Sequence, residues 1–402
     1  MRVDVDDKLR ADGNDRDRSR ATAVAPAVPS SGLPASLAEV TPGWITAALR
    51  SHGLDVEVVE VICTPIAQGK GMLSDLGVCR LTYAPSGTAA ATGPASLVVK
   101  LPAEHEANRA VAVGFHCYER ETSYFRHVAG RVSAWLPAVY YSEIDGPERF
   151  AILMEDLSDY RVGDQVEGCD AAEADLAVRC AAGLHAPYWN DVDRPELEAF
   201  PYHSPSYFSE GLQQGAAAGW DNMLMRFGAD LPGYIRESKD RYVAALPRMQ
   251  QWITSGPLTL VHGDLRLDNV FFGSRPEHRP FVTCDFQGSV RGKAIHDIAY
   301  LLTQSVRTEE RRAHERDLIA AWQTALAEHG VPNYSFDQAW HDYQRAALYM
   351  WTYAVVNSGA LDPVNDRGRA WMQQMVTRTA ATIDDLGLFE LLSEFEGPAP
   401  SA

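Results

Sequence analysis

Two carboxylates, an amide and a histidine stand at spacings that suit transfer of a phosphoryl group. The first stretch is Val261-His262-Gly263-Asp264-Leu265-Arg266-Leu267-Asp268-Asn269, and the second is Thr283-Cys284-Asp285-Phe286-Gln287. Each follows a short apolar run, Leu258 to Val261 and Pro280 to Cys284, that hands off to an acid. The pattern predicts two adjacent strands presenting acids at their ends. Phosphoryl transfer asks mainly for positioning and charge neutralisation. It needs a carboxylate to orient the attacking hydroxyl and hard oxygen ligands for a magnesium ion beside the phosphates. Asp264 fits the first role; Asp285 fits the second, with Asn269, five residues after Asp264, as a further oxygen ligand. The plainer reading is that His262, Asp264 and Asp285 satisfy backbone groups at strand ends.

The pair His-Gly-Asp-x-x-x-x-Asn and Asp-Phe-Gln resembles the aminoglycoside phosphotransferase/choline kinase superfamily. With Gln287 it looks closest to the ecdysteroid-kinase-like (CHK-kinase-like) branch. The resemblance implies an α+β, bilobal, protein-kinase-like fold, with a small antiparallel-sheet N-lobe and a mainly helical C-lobe. It implies a kinase that uses ATP and Mg2+ and a small-molecule hydroxyl substrate, with Asp264 as catalytic base and Asn269 and Asp285 as metal ligands. It also implies nucleotide contacts upstream. Gly69, Gly71 and Ser74 belong to the loop over the phosphates, where missing side chains let backbone amides approach oxygens. Lys100, on an apolar strand where a charge is costly without a partner, holds the α- and β-phosphates and is itself held by Glu121, with Glu119 the competing choice. Glu155 and Leu157 are hinge positions whose backbone meets adenine.

Some features depart from protein kinases and from the branch itself. Gly263 stands where protein kinases carry an arginine, no Ala-Pro-Glu follows Gln287, and Asp297 follows too soon for an activation segment, which argues against a protein kinase gated by phosphorylation. Arg266 replaces the bulky tryptophan usual in the branch; its guanidinium either stabilises transferred charge or pairs with Asp268 or a surface acid. Asp297 is expected to hydrogen-bond the loop around Asp264, and His262 to clamp that loop. Two further readings stay open: an antibiotic (aminoglycoside-type) phosphotransferase, and a non-catalytic nucleotide-binding pseudokinase.

The elements that would position these residues follow from patterning. Residues 1–34 are charged, then rich in Ala, Pro and Ser, and read as a disordered tail. An N-lobe is expected over 35–157 and a C-lobe over 158–396, with order beginning near Leu37. Thr41-Pro42 caps a helix that Gly53 stops. Strands are predicted at Val56–Ile62, Gly77–Tyr83, Ala95–Leu101, Ala138–Ser142 and Phe150–Met154, and one helix over Glu104–His127. Further helices are predicted at Ala171–His185, Tyr234–Ile253, Ala294–Val306, Glu309–His329, Phe336–Asn357 and Gly368–Leu386. His185 reads as a partner of its helix C-terminus. The stripe Trp340, Tyr343, Ala347, Met350, Trp351 reads as core rather than pocket wall, and the acids Asp384, Asp385, Glu390, Glu394 and Glu396 as a solvated, fraying end.

Composition narrows the classes. A 46% hydrophobic chain of 402 residues is ample for a core, and its net charge of -18 argues against nucleic acid and anionic lipid as partners, which it would repel. The six cysteines are scattered without Cys-x-x-Cys, which argues against a disulfide scaffold or zinc site and, with no apolar leader or spanning run, suits the cytoplasm. The hydroxyl acceptor and the oligomeric state are not written in the sequence.

Overall fold

In the computed structural model, Thr41 accepts a hydrogen bond from the Trp44 N–H at 3.2 Å and Pro42 occupies the first turn of helix α1 (Pro42–Ser51). The structure describes residues 32–66, 73–85, 93–363 and 365–397. The chain divides into two compact units, one formed by residues up to 131 with 136–159, the other by 132–135 with 160 onwards. The fold is α+β: an antiparallel five-stranded sheet in the first unit and mostly helix in the second.

The first unit's sheet is built from β1 (Val58–Ile66), β2 (Ser74–Tyr83), β3 (Ser96–Pro102), β4 (Val139–Asp145) and β5 (Arg149–Glu155), in the order β1-β2-β3-β5-β4. Strand alternation splits β3 cleanly. Leu97, Val99 and Leu101 are buried on one face in a cluster with Trp44, Ile45, Leu49 and Leu153. Val98 faces the other way, into a cluster with Tyr118, Phe150 and Ile152. Lys100 shares that second face by its period of two, which turns it toward helical residues rather than toward α1.

The predicted helix over 104–127 is instead α2 (Glu106–Gly114) and α3 (Cys117–Ser123), followed by a π-type turn at Tyr124–Val128. The break falls at His116, whose φ of 53° is left-handed and cannot continue a right-handed helix. Order also begins earlier than Leu37: Leu33 is buried in the core of this unit, and its carbonyl accepts from Arg149. The rest of the tail assigned to 1–34 lies outside the described residues, apart from Gly32 to Pro34. Contrary to the cysteine reading, Cys63 and Cys79 form a disulfide. They are directly opposite in the β1–β2 register, a juxtaposition that only the hairpin pairing creates.

The second unit adds β6 (Arg161–Val162), α4 (Ala171–His185), α5 (Tyr207–Phe227), α6 (Gly233–Arg236), α7 (Lys239–Ile253), β7 (Thr259–Val261), β8 (Val270–Phe272), β9 (Phe281–Thr283), β10 (Val290–Gly292), α8 (Ile295–Gln304), α9 (Thr308–Glu328), α10 (Phe336–Ala360) and α11 (Asp366–Leu386). Helix α10 opens on a capping box between Ser335 and Gln338. Its stripe is core as expected, with Tyr343, Ala347, Met350 and Trp351 fully buried. The acidic end is not frayed: Asp385 pairs with Arg311 and Arg312, Glu394 with Arg345 at 2.7 Å and Glu396 with Arg241 at 2.7 Å. Among the described residues no helix is long and apolar enough to cross a membrane.

The two acid-bearing runs are not neighbours in one sheet. β7 pairs with β10, whereas β9 pairs with β8. The acids still converge because β8 begins directly after Asn269 and turns back as β9, so that Val270 faces Thr283.

Helices α5 and α10 cross on glycine. A Cβ at Gly359 would stand 2.1 Å from the Gly219 carbonyl oxygen. Gly359→Ala is therefore expected to cost about 1–3 kcal/mol or more by overpacking, read as a lower urea midpoint. Alanine at Gly330, where a Cβ meets open space but φ is +100°, reports backbone strain alone.

Candidate active site

The loop that carries Asp264 is fixed by a carboxylate with no exposure to solvent. Asp297, on α8, accepts from the backbone N–H of His262 at 2.7 Å and of Gly263 at 2.9 Å. His185 Nε2 donates to the same carboxylate at 2.9 Å, and His296 Nδ1 stands 3.5 Å from it. Burial pushes the Asp297 carboxyl up, but the hydrogen bonds from His185 and His296 outweigh it and hold the group well below the usual carboxylate range. The sequence reading of Asp297 as the loop's clamp matches this geometry.

Two contacts then lock the halves of the motif together. His262 donates from Nε2 to the Cys284 carbonyl at 3.0 Å and accepts from the Asp264 N–H at Nδ1, 3.3 Å away. Gly263 has φ +81°, and a Cβ there would lie 2.1 Å from the Gly288 carbonyl oxygen. Only glycine meets both conditions. Asp285 itself is left-handed, with φ 68° and ψ 72°. Such a conformation in a non-glycine residue persists where its surroundings impose it, often at functional sites.

At the loop's mouth, Asn269 Nδ2 donates to the Asp264 carbonyl and to Asp264 Oδ2, each at 2.9 Å. Arg266 lies 3.1 Å from Asp264, 3.8 Å from Asp268, and over the Trp371 ring at 5.2 Å. Burial opposes its charge, but Asp264, Tyr300, Asp268 and Asp285 together raise its affinity for the proton. Of the alternatives open for Arg266, the observed pairing is with Asp264 first. Tyr300 feels the same carboxylate: burial, then the charge of Asp264, pushes its hydroxyl far above the usual phenol range.

These residues suit magnesium in part. Among the described residues there is no group of three or more His, Cys, Asp or Glu able to hold a metal. The candidate set is one carboxylate, Asp285, and one amide oxygen, that of Asn269. Magnesium is commonly held by one or two carboxylates and completed by phosphate oxygens and water, so such a sparse hard-oxygen set is compatible with it.

In the first unit, Lys100 Nζ meets Glu121 at 2.6 Å, with both side chains almost fully buried. The competing Glu119 pairs with His116 on the surface instead. Ser74 is buried at the start of β2. The Glu155 side chain accepts from the Ala138 N–H at 2.9 Å, and Leu157 is buried. Gly69 and Gly71 lie outside the described residues.

Three supports escaped the sequence reading. His185 is not a partner of its helix end; it is fully buried against Asp297 and accepts from Trp322 Nε1 at 3.3 Å. Gln165 accepts at Oε1 from the Leu267 N–H at 2.9 Å and from the Ser305 hydroxyl at 3.0 Å, a second brace on the loop. Tyr300 is the third. None carries a local signal, because each reaches the loop from more than thirty positions away in the chain, through packing alone.

Asp297→Asn is expected to lower stability by roughly 2–4 kcal/mol at neutral pH, measured by urea unfolding. The folded carboxyl sits below its unfolded value, so its contribution is complete above about pH 4, the ordinary aspartate range, and declines as pH falls further. The gap between wild type and variant should hold from neutral pH down to that range and shrink below it. A gap that widens on acidification would contradict the assignment.

The comparisons fit this architecture. Choline kinase from Cryptosporidium parvum Iowa II superposes with a TM-score of 0.51 at 11% identity, covering 83% of this chain and 93% of that one. A microcompartment-associated aminopropanol kinase gives a TM-score of 0.47 at 13% identity over 87% of this chain and 98% of that one. An aminoglycoside 2'-phosphotransferase-IIIa variant in complex with GDP gives 0.45 at 15% identity, over 87% and 96%. At these identities the likeness concerns the fold. Comparison with curated protein sequences finds no match. The sequence of residues 68–330 matches the ecdysteroid kinase-like family, and the chain belongs to that family.

Proposed function

We propose that the chain is a kinase of a small molecule, moving the γ-phosphate of ATP to a hydroxyl with Mg2+ as cofactor. The observation that supports this most is the environment of Asp264: a carboxylate partly open to solvent, set on a loop whose backbone is held by Asp297 and braced by Asn269. Membership of the ecdysteroid kinase-like family supports it independently.

In this reading the acceptor hydroxyl binds against Asp264, which orients it and takes its proton. The hydroxyl oxygen forms a bond to the γ-phosphorus while the bond from that phosphorus to the bridging oxygen of ADP breaks. A phosphate ester and ADP leave. Asn269 and Asp285 hold the metal, which when bound neutralises phosphate charge. Lys100, kept oriented by Glu121, holds the α- and β-phosphates. Ser74, with Gly69 and Gly71, covers them, and the backbone at Glu155 and Leu157 receives the base. Arg266, already beside Asp264, faces the charge that develops as the phosphoryl group moves.

The test is thermal unfolding with ATP and Mg2+, separately and together, followed by ATP consumption across a panel of hydroxyl compounds. A ligand at ~100 times its dissociation constant adds about 2.7 kcal/mol. Wild type should be stabilised most by both together, and Asp285→Ala should lose the increment that Mg2+ brings. Asp264→Asn should keep the nucleotide shift yet lose turnover by about three to four orders of magnitude, the scale seen when a unit of catalytic machinery is removed. No shift in wild type with both ligands would sink the proposal, and full turnover in Asp264→Asn would remove Asp264 from its role.

A further inference from the structure

A cleft with a volume of about 470 Å³ lies in the helical unit, lined by Trp252, Lys293, Tyr334, Asp342 and Arg345 among others. At its floor is Lys293, immediately after β10, whose backbone N–H is tied to the Ile253 carbonyl at 2.9 Å. The side chain is only 8% exposed, and among the described residues its ammonium has one ionic partner, Asp342, at the long distance of 3.5 Å. The same Asp342 oxygen accepts from the Tyr334 hydroxyl at 2.8 Å. Nζ lies 5.2 Å from the centre of the Trp252 ring. Arg345, nearby, is engaged by Glu394 at 2.7 Å and by the His341 carbonyl at 3.0 Å.

An ammonium carries three donors, and among the described residues this one meets a single carboxylate at 3.5 Å and the face of one indole. Burial accordingly lowers the pKa of Lys293, with Asp342 opposing the shift. Asp342 already has a closer partner in Tyr334, so it does not depend on Lys293. Lys293 lines the cleft, so an anion that enters it meets this ammonium. The Trp252 ring beside it offers an apolar, planar wall.

We propose that this cleft is a binding site for a small planar carboxylate: the carboxylate meets Lys293 and the flat body lies along Trp252. None of the residues of the proposed kinase chemistry takes part, so the site stands or falls separately from that reading.

Benzoate serves as the probe, titrated into the full chain by calorimetry and by ligand-observed NMR. Benzamide, its neutral counterpart, and sulfate, an anion without a ring, are the controls. Benzoate should bind wild type in the millimolar range, and each control at least about tenfold more weakly, the scale of one charge-assisted hydrogen bond or one aromatic contact. Lys293→Met should weaken benzoate at least about tenfold by the same measure. Trp252→Leu should weaken benzoate but leave sulfate unchanged. No benzoate binding to wild type, equal binding of benzoate and benzamide, or undiminished binding to a folded Lys293→Met would each overturn the proposal. If Lys293→Met does not fold, the comparison of benzoate with benzamide on wild type decides.

Discussion

A carboxylate buried among four nitrogen donors governs the geometry around Asp264. Two of the donors are consecutive backbone amides of the loop, and two are imidazoles from α4 and α8. An ionised acid fully out of water is tolerable only when its oxygens are satisfied, and Asp297 meets that demand by drawing the loop's own N–H groups onto itself. The loop cannot shift without exposing a buried charge. The shape of the residues from His262 onward is thus enforced by electrostatics rather than by regular secondary structure, which ends at Val261 and resumes only as the short turn Leu267–Asn269.

The second motif is then located by contact with the first. His262 reaches Cys284, Gly263 lies against Gly288, and the Cys284 N–H returns to the Asn269 carbonyl at 3.0 Å. Each contact spans one or two residues around an acid, so Asp264 and Asp285 are held by a common frame. The glycine at 263 belongs to this frame. With a left-handed φ and a carbonyl where a Cβ would be, the position cannot accept the arginine that protein kinases carry there. The tight packing of the two motif halves and the exclusion of a side chain at position 263 are two consequences of one residue.

The helix and strand pattern was largely legible because each element has a local signal, as with Thr41-Pro42 opening α1 or the alternation in β3. The site was legible to the extent that its residues are close in sequence: His262 to Asn269, Cys284 to Gln287. Asp297 could be read only through the family resemblance, in which an acid at that position is structural. His185, Gln165 and Tyr300 could not, because what brings them to the loop is the packing of helices distant in the chain. The same reason hid the Cys63–Cys79 bridge, which depends on strand register, and the pairing of β7 with β10. The helix break at His116 was missed for a different reason: residues 104–127 keep a helical apolar period through the break, and one left-handed residue leaves no periodic trace.

Local charge in the loop differs from the charge of the whole chain. The net value of -18 would suggest a strongly negative site, and Asp264, Asp268 and Asp285 all lie near one another's influence on Arg266. Yet Arg266 stands beside Asp264, and Arg367 takes Asp268 at 2.9 Å. Two guanidiniums set against three carboxylates leave an excess of about one negative charge. Without Arg266 the excess would be about two, which a divalent cation would cancel; with Arg266 it is about one, which a divalent cation would reverse. An arginine at position 266 in place of the tryptophan that the resemblance leads one to expect thus changes the charge of this loop as well as its shape.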